Sequence, residues 1–381
     1  MGARFGQRVA AALAVVVLAA AGCGDDGEGG VAAPTQDDLV RLNQVQVLGS
    51  HNSYHIQPKE PLFSALIEFT EAFRGIEYTH LPLDQQFANQ GIRQIELDVF
   101  ADPEGGLYSV RKVNALFMQD VNAGIPALLE PGFKVLHIQE VDFETTCYTF
   151  VECLQTIKAW SDANPNHLPI MVLVELKDEP IPDPLMLGFV TPLPIGPAEL
   201  DALDAEIRSV FPPAQLITPD DVRGTSTTLE QAVLSGGWPT LREARGRILF
   251  CMDNGGGARR DYLDGHPNLQ GRVLFTNANP GDPDAAFVKR NDPIGDLDIA
   301  DLVAAGYIVR TRADGDTEQA RTGDTTQRDA AINSGAQYVS TDYPVPNPAF
   351  GTGYFVEIPG DGIARCNPLN APPDCVDALL E

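Results

Sequence analysis

Short β-branched apolar runs alternate along this chain with stretches of helical character, the pattern of parallel βα units. Candidate strands are Gln44–Leu48, Gln94–Phe100, Lys134–Ile138, Ile170–Leu176, Arg247–Met252, Arg272–Phe275, Tyr307–Thr311 and Gln337–Ser340. A weaker run, Gln215–Thr218, reads as a connection. Eight strands with intervening helices predict an α/β fold closed into a single (β/α)8 barrel, the TIM-barrel architecture. Several helices carry their own punctuation. Leu83–Asn89 ends before Gly91, a left-handed cap. Phe150–Ala163 has apolar residues at Val151, Leu154, Ile157 and Trp160 and stops at Asn164-Pro165, while Thr326–Asn333 stops before Gly335. The Pro-rich segment Asp178–Pro197 cannot be one regular helix. Neither it nor Ser53–His80 has an assigned structure, and both follow strand ends, where long barrel loops build sites.

The termini change the picture. Arg4 and Arg8 precede an apolar run from Val9 to Ala21, and small residues lead to Gly22-Cys23. That is a signal peptide over residues 1–22, too short and wrongly flanked for a spanning helix. Cys23 then stands where a lipoprotein is lipidated, although Ala20 occupies the usual Leu position. Residues 23–38 are expected as a flexible tether, 39–348 as the barrel, and 349–381 as a C-terminal extension closed by a disulfide. Cys147 and Cys153 are close enough in sequence to close one local loop, and Cys366 and Cys375 another. Cys251 is left as a buried thiol. Two disulfides suit an exported protein of the cell envelope or the secreted fraction. The formal net charge of −27 argues against nucleic acid and against electrostatic adhesion to anionic membranes, and is compatible with divalent cations.

The chemistry stands at strand ends. The first strand delivers His51-Asn52; the second carries Glu96 and Asp98, two apart and so on one face. The third ends at His137, and the fourth places Glu175 and Lys177 on one face. Barrel strands are normally apolar because a buried unpaired carboxylate is costly. Three carboxylates and an amide oxygen make a hard-oxygen set suited to Ca²⁺ or Mg²⁺ rather than zinc, and two histidines beside it supply an acid and a base. His55, His80, His167 and His266 are read as structural. On the later strand Val309-Arg-Thr-Arg312, Arg310 and Arg312 share a face. Asn254-Gly-Gly-Gly257 lacks a nucleotide motif and reads as a mouth loop.

The order Gly49-Ser-His-Asn-Ser-Tyr54, Gly91-Ile-Arg-Gln-Ile-Glu-Leu-Asp-Val99, a His-ended strand and Val174-Glu-Leu-Lys-Asp178 resembles the calcium-dependent phosphatidylinositol-specific phospholipase C family, in its bacterial secreted branch. The resemblance runs from about Leu42 to Pro344. It implies that Asn52, Glu96, Asp98 and Glu175 ligate Ca²⁺, that His51 and His137 are the catalytic pair, and that Lys177 and Arg310 or Arg312 contact phosphate or headgroup. His137 would be the general acid, with His51 stabilising the transition state and Glu96 a candidate base; the residues leave the base open. The expected substrate is a phosphatidylinositol-type lipid at a membrane surface, met by a monomer anchored through Cys23, with Leu62, Phe63 and Phe69 available either to the membrane or to the core. Two other readings stay open. A glycerophosphodiester phosphodiesterase would typically carry Arg-Gly after the first His, where Asn52-Ser53 stands. A tethered lipoprotein that only binds headgroups or Ca²⁺ would have no need of both histidines.

Overall fold

The computed structural model describes residues 34–360 and 362–381. The expected signal peptide and Cys23 lie outside them. Among the described residues the strands are β1 (Val45–Ser50), β2 (Gln94–Phe100), β3 (Lys134–Val135), β4 (Ile170–Leu176), β5 (Leu216–Ile217), β6 (Ile248–Met252), β7 (Leu274–Phe275), β8 (Phe287–Lys289), β9 (Ile308–Arg312), β10 (Tyr338–Thr341) and β11 (Ala364–Cys366). Parallel pairing runs from β7 through β6, β4, β2, β1, β10 and β9 to β8. A parallel bridge between Asn277 and Phe287 then brings the two ends of that path together. The result is an eight-stranded TIM barrel. Strands β2, β4 and β6 are buried on both faces, as parallel strands under a helical layer must be.

One of the eight expected strands needs correction, and one barrel strand was not expected. Lys134–Ile138 is not a barrel strand. Only Lys134 and Val135 are extended, and they pair antiparallel with Phe100 and Val99. Strand β4 already occupies the other edge of β2 from Gln94 to Val99, whereas β1 meets β2 only at Gly49 and Gln94. The upper edge of β2 is therefore open, and β3 fills it. The missing barrel member is β8, three residues long and too short to stand out in the sequence. The weak run at Gln215–Thr218 contributes β5, which pairs with β6.

Helix Phe150–Ala163 shows how the outer layer forms. The Thr149 hydroxyl accepts the Glu152 N–H, and Phe150, Cys153, Leu154 and Ile157 are turned inward at i, i+3, i+4 and i+7. A disulfide joins Cys147 to Cys153 at the start of this helix. A second joins Cys366 to Cys375. The segment expected as an extension packs back onto the barrel. Strand β11 pairs antiparallel with Val45–Val47, and the Glu381 carboxylate binds Arg93 and the Leu168 N–H.

Gly49 sits where β1 and β2 approach most closely. A methyl group there would lie 1.9 Å from Gln94 Oε1 and 2.9 Å from Gln94 Cβ. Gly49→Ala should therefore destabilise the fold by about 1–3 kcal/mol through overpacking, read from urea denaturation. An unchanged midpoint would contradict this packing of the strand that carries His51 and Asn52.

Candidate active site

The turn after β1 is pinned from three sides. The His51 N–H donates to the Thr341 carbonyl (3.0 Å), and the Ser53 N–H to the Glu96 carbonyl (2.9 Å). The Ser53 hydroxyl accepts the Glu96 N–H at 2.8 Å, and the Ser50 hydroxyl reaches Gln86 at 2.7 Å. Between them Asn52 adopts φ 42°, the left-handed region that Asn tolerates better than most residues. The turn aims its amide inward, where the Asn52 Nδ2 donates to the Tyr78 hydroxyl at 3.2 Å.

Register assembles the carboxylates. Asp98 and Glu175 are direct partners across β2 and β4, so their side chains leave the same face side by side, with Glu96 two residues below Asp98. One oxygen from each of the three lies within 4.8 Å of the others. Lys177 Nζ forms ion pairs with Asp98 Oδ2 (3.1 Å) and Glu175 Oε1 (2.9 Å). Apart from the Lys177 ammonium on Asp98 Oδ2, the Asp98 oxygens have no partner, and Asn52 Oδ1 has none, although all three atoms are buried. Burial pushes the Asp98 carboxyl up, and the neighbouring Glu175 pushes it further. Burial also raises Glu96, against the pull of Arg310. Orphaned hard oxygens beside crowded carboxylates fit a Ca²⁺-sized divalent cation, which would satisfy them together.

Two imidazoles line a cavity together with Asn52, each held by a buried aspartate. His51 Nδ1 lies 2.7 Å from Asp342 Oδ1, and Arg312 donates to Asp342 Oδ2 at 3.1 Å and to His51 Nε2 at 3.3 Å. Burial and the Arg312 charge push the His51 pKa down to about 3, against the pull of Asp342, so His51 is neutral at pH 7. His137 Nδ1 lies 2.7 Å from Asp142 Oδ2, and the same carboxylate meets His55 Nε2. A cavity of about 420 Å³ opens between these pairs, lined by His51, Asn52, Tyr78, His137, Arg312 and Asp342 among others. The three carboxylates are not part of that lining.

The sequence-predicted residues thus come together with three differences. His137 reaches the mouth from the loop after β3, not from a barrel-strand end. Arg310 is almost fully buried, engaged with Glu96, with Asn291 Oδ1 at 2.6 Å and with Ser340 Oγ at 3.0 Å, so Arg312 alone of the pair faces the cavity. Lys177 is directed at Asp98 and Glu175. Sequence reasoning missed Asp142, Asp342 and Tyr78. Asp342 had a signal, since it directly follows β10 at the barrel mouth; Asp142 had none. His167, between Ser161 Oγ and the Leu168 carbonyl, and His266, on the Gln270 carbonyl, hold loops as expected.

Fold and site together define a class: a TIM-barrel enzyme whose mouth carries a carboxylate cluster suited to a hard cation. The family model described as phosphoinositide phospholipase C, Ca²⁺-dependent, matches residues 40–368, and the chain belongs to that family. Among solved structures it is similar to a calcium-dependent phosphoinositol-specific phospholipase C from a Gram-negative Pseudomonas sp. (15% identity, TM-score 0.51, covering 86% of this chain and 95% of that one). A myo-inositol complex from Pseudomonas sp. matches at 14% identity and TM-score 0.50, covering 88% and 100%. A Ca²⁺-dependent phosphatidylinositol-specific phospholipase C from Streptomyces antibioticus matches at 18% identity and TM-score 0.49, covering 82% and 97%. At these identities the likeness is one of fold. No curated protein sequence matches the chain.

Although burial opposes it, His55 and His137 hold Asp142 down to about 2. A carboxyl depressed in the folded state stabilises fully above its unfolded pKa of about 4 and loses that contribution as pH falls through 2. Wild type should lose roughly 2 kcal/mol more than Asp142→Asn between pH 4 and pH 2, measured by denaturant titration at each pH. Parallel losses would show that Asp142 is not so held.

Proposed function

We propose that this protein cleaves phosphatidylinositol-type lipid to diacylglycerol and a cyclic inositol phosphate, with Asn52, Glu96, Asp98 and Glu175 as the Ca²⁺ ligands. The carrying observation is that the buried oxygens Asn52 Oδ1 and Asp98 Oδ1 have no partner, Asn52 being the residue after His51. Bound there, Ca²⁺ would lower the pKa of the attacking hydroxyl and offset charge on the phosphoryl oxygens. The inositol 2-hydroxyl lies next to its own phosphodiester, so attack is intramolecular and the protein's work is orientation and proton transfer. His51 takes the hydroxyl proton at Nε2, its other nitrogen being held by Asp342. Glu96 is less suited to this task because Arg310 engages it. The new bond joins the 2-oxygen to phosphorus, the bond from phosphorus to the diacylglycerol oxygen breaks, and His137 protonates that leaving oxygen through Nε2. Arg312, released from His51 as substrate enters, contacts the phosphate.

The membrane contact is proposed to be apolar. Leu62 and Phe63 are buried with Ile76, Val113 and Phe143, so of the three residues considered only Phe69, 71% exposed, is free. Met118 and Met186, 97% and 89% exposed, lie in the segments of Phe117 and Phe189, which pack on the same cluster. Thr70, Phe73 and Ile76 from that region line the cavity, so Phe69 stands one residue from its wall. Among the described residues no helix is long and apolar enough to cross a membrane. Cleavage after residue 22 and lipidation of Cys23 would supply an anchor to an exported monomer, and the two disulfides agree with an oxidising compartment.

With Ca²⁺, phosphorus NMR of phosphatidylinositol micelles should show a cyclic inositol phosphate; EDTA should abolish it, and His137→Ala should lower kcat by about 10²–10⁴-fold. Release unaffected by EDTA, or full activity in the variant, would contradict the assignment. Phe69→Ala with Met186→Ala should weaken vesicle binding by about tenfold, the loss of roughly 1.4 kcal/mol, while turnover of a monomeric short-chain substrate is kept. Equal losses on both substrates would place these residues elsewhere in the reaction.

A further inference from the structure

The turn that follows His137 is closed by two hydrogen bonds of its own. The Ile138 N–H donates to the Asp142 carbonyl and the Asp142 N–H to the Ile138 carbonyl, both at 2.9 Å. Glu140 stands at the tip with φ 72°, the left-handed region that a residue with a β-carbon disfavours. Glycine would form this turn more easily, so the use of a glutamate lies in its carboxylate. That carboxylate is not in water: Glu140 is 3% exposed. Its Oε2 accepts the Lys112 N–H at 2.6 Å, and its Oε1 accepts the Val190 N–H at 3.0 Å. Beside it, Gln139 Nε2 donates to the Glu179 carbonyl at 3.1 Å.

Both amides belong to loops at the barrel mouth. Lys112 opens the short helical segment Lys112–Phe117, which runs into Met118, and a first N–H of this kind has no partner within its own segment. Val190 lies between β4 and the helix Pro197–Val210, in the stretch that carries Met186. The two loops also meet directly, through Lys112 Nζ and the Gly188 carbonyl. A second set of ties runs to the segment after β1, where Asp142 meets His55 and the Thr146 N–H donates to the Tyr54 carbonyl at 2.8 Å. The strand before His137, β3, is only two residues long. The placement of His137 over the cavity therefore depends on these lateral ties.

We propose that Glu140 is a positioning residue, whose carboxylate latches the His137–Asp142 turn to the two loops bearing Met118 and Met186 and so holds His137 Nε2 at the leaving oxygen. A proton donor works only within hydrogen-bond reach of the oxygen it serves, and a displacement of about 1 Å can cost about 10²-fold in rate. Glu140 does not line the cavity and does not touch substrate in this role. It acts through His137, by joining three segments of the mouth at one carboxylate. A carboxylate that served loop stability alone would, when lost, slow every substrate alike. One that places the acid slows only those reactions that need a proton delivered. The inference rests on the reading of His137 as proton donor.

The test compares two substrates on the full chain with Ca²⁺. One is a monomeric short-chain phosphatidylinositol, whose glycerol oxygen needs a proton to leave; the other is a nitrophenyl ester of inositol phosphate, whose phenolate leaves without one. Glu140→Ala should lower kcat on the lipid by about 10–100-fold and on the ester by less than about threefold, with KM and Ca²⁺ affinity kept. Glu140→Gln retains one acceptor and should fall between wild type and alanine; it takes the place of Glu140→Ala if that variant does not fold. Amide hydrogen exchange, which needs no turnover, should be faster at Lys112, Val190 and residues 138–142 in either variant. Equal losses on the two substrates, or unchanged exchange at Lys112 and Val190, would overturn the proposal. His137→Ala, run on the same pair, should show the same selectivity for the lipid. Selectivity in the Glu140 variant without it in His137→Ala would refute the reading of His137 as the acid, while the exchange data decide the latch separately.

Discussion

Strand register puts the Asp98 carboxyl directly beside that of Glu175, and everything else at the mouth accommodates the result. Parallel neighbours on one face cannot turn away from each other, and Glu96 follows two residues below. Buried like charges at such spacing are unfavourable without a cation. Lys177 supplies one positive charge to Asp98 and Glu175, and Arg310 reaches across the barrel interior from β9 to supply another to Glu96. These two residues are as much a part of the carboxylate cluster as the acids themselves. What they leave without a partner is Asp98 Oδ1 and Asn52 Oδ1, the two buried oxygens on which the proposed Ca²⁺ site rests.

Each imidazole of the proposed acid–base pair has its own aspartate. Asp342 ends β10 beside the first strand, and Asp142 sits in the hairpin tied to His55 and to the Cys147–Cys153 loop. The environments differ. His51 shares its carboxylate with Arg312, whose charge together with burial keeps the ring neutral. His137 shares its carboxylate with a second imidazole. Two rings of the same residue type are thus held in different surroundings, one beside an arginine and one beside a second imidazole.

Much of this was legible in the chain. Strands β2 and β4 announced themselves because Glu96, Asp98 and Glu175 interrupt otherwise apolar runs at a spacing of two or at a strand end. The motif Gly49–Tyr54 pointed to the family that the match over residues 40–368 establishes. What stayed hidden has a common cause: pairing partners are not written locally. Lys134–Ile138 has strand character, but nothing in it says that β2 offers only its upper edge. Phe287–Lys289 is a full barrel member at three residues because its neighbours, not its own sequence, hold it extended. Asp142 is one of 53 acidic residues and differs from the rest only in what surrounds it. Leu62 and Phe63 could not be divided between core and membrane without the cluster that buries them.

The account turns on a single hard-cation site made by the register of β2 and β4, and calorimetric titration of Ca²⁺ into the metal-free protein tests it most directly. Wild type should bind with a stoichiometry of one at this cluster. Asp98→Asn, which keeps the shape and removes the charge, should lose at least tenfold in affinity, about 1.4 kcal/mol, while its circular dichroism is unchanged. Equal affinity in the two proteins, with the fold intact, would show that Ca²⁺ is held elsewhere and would contradict the site proposed for it.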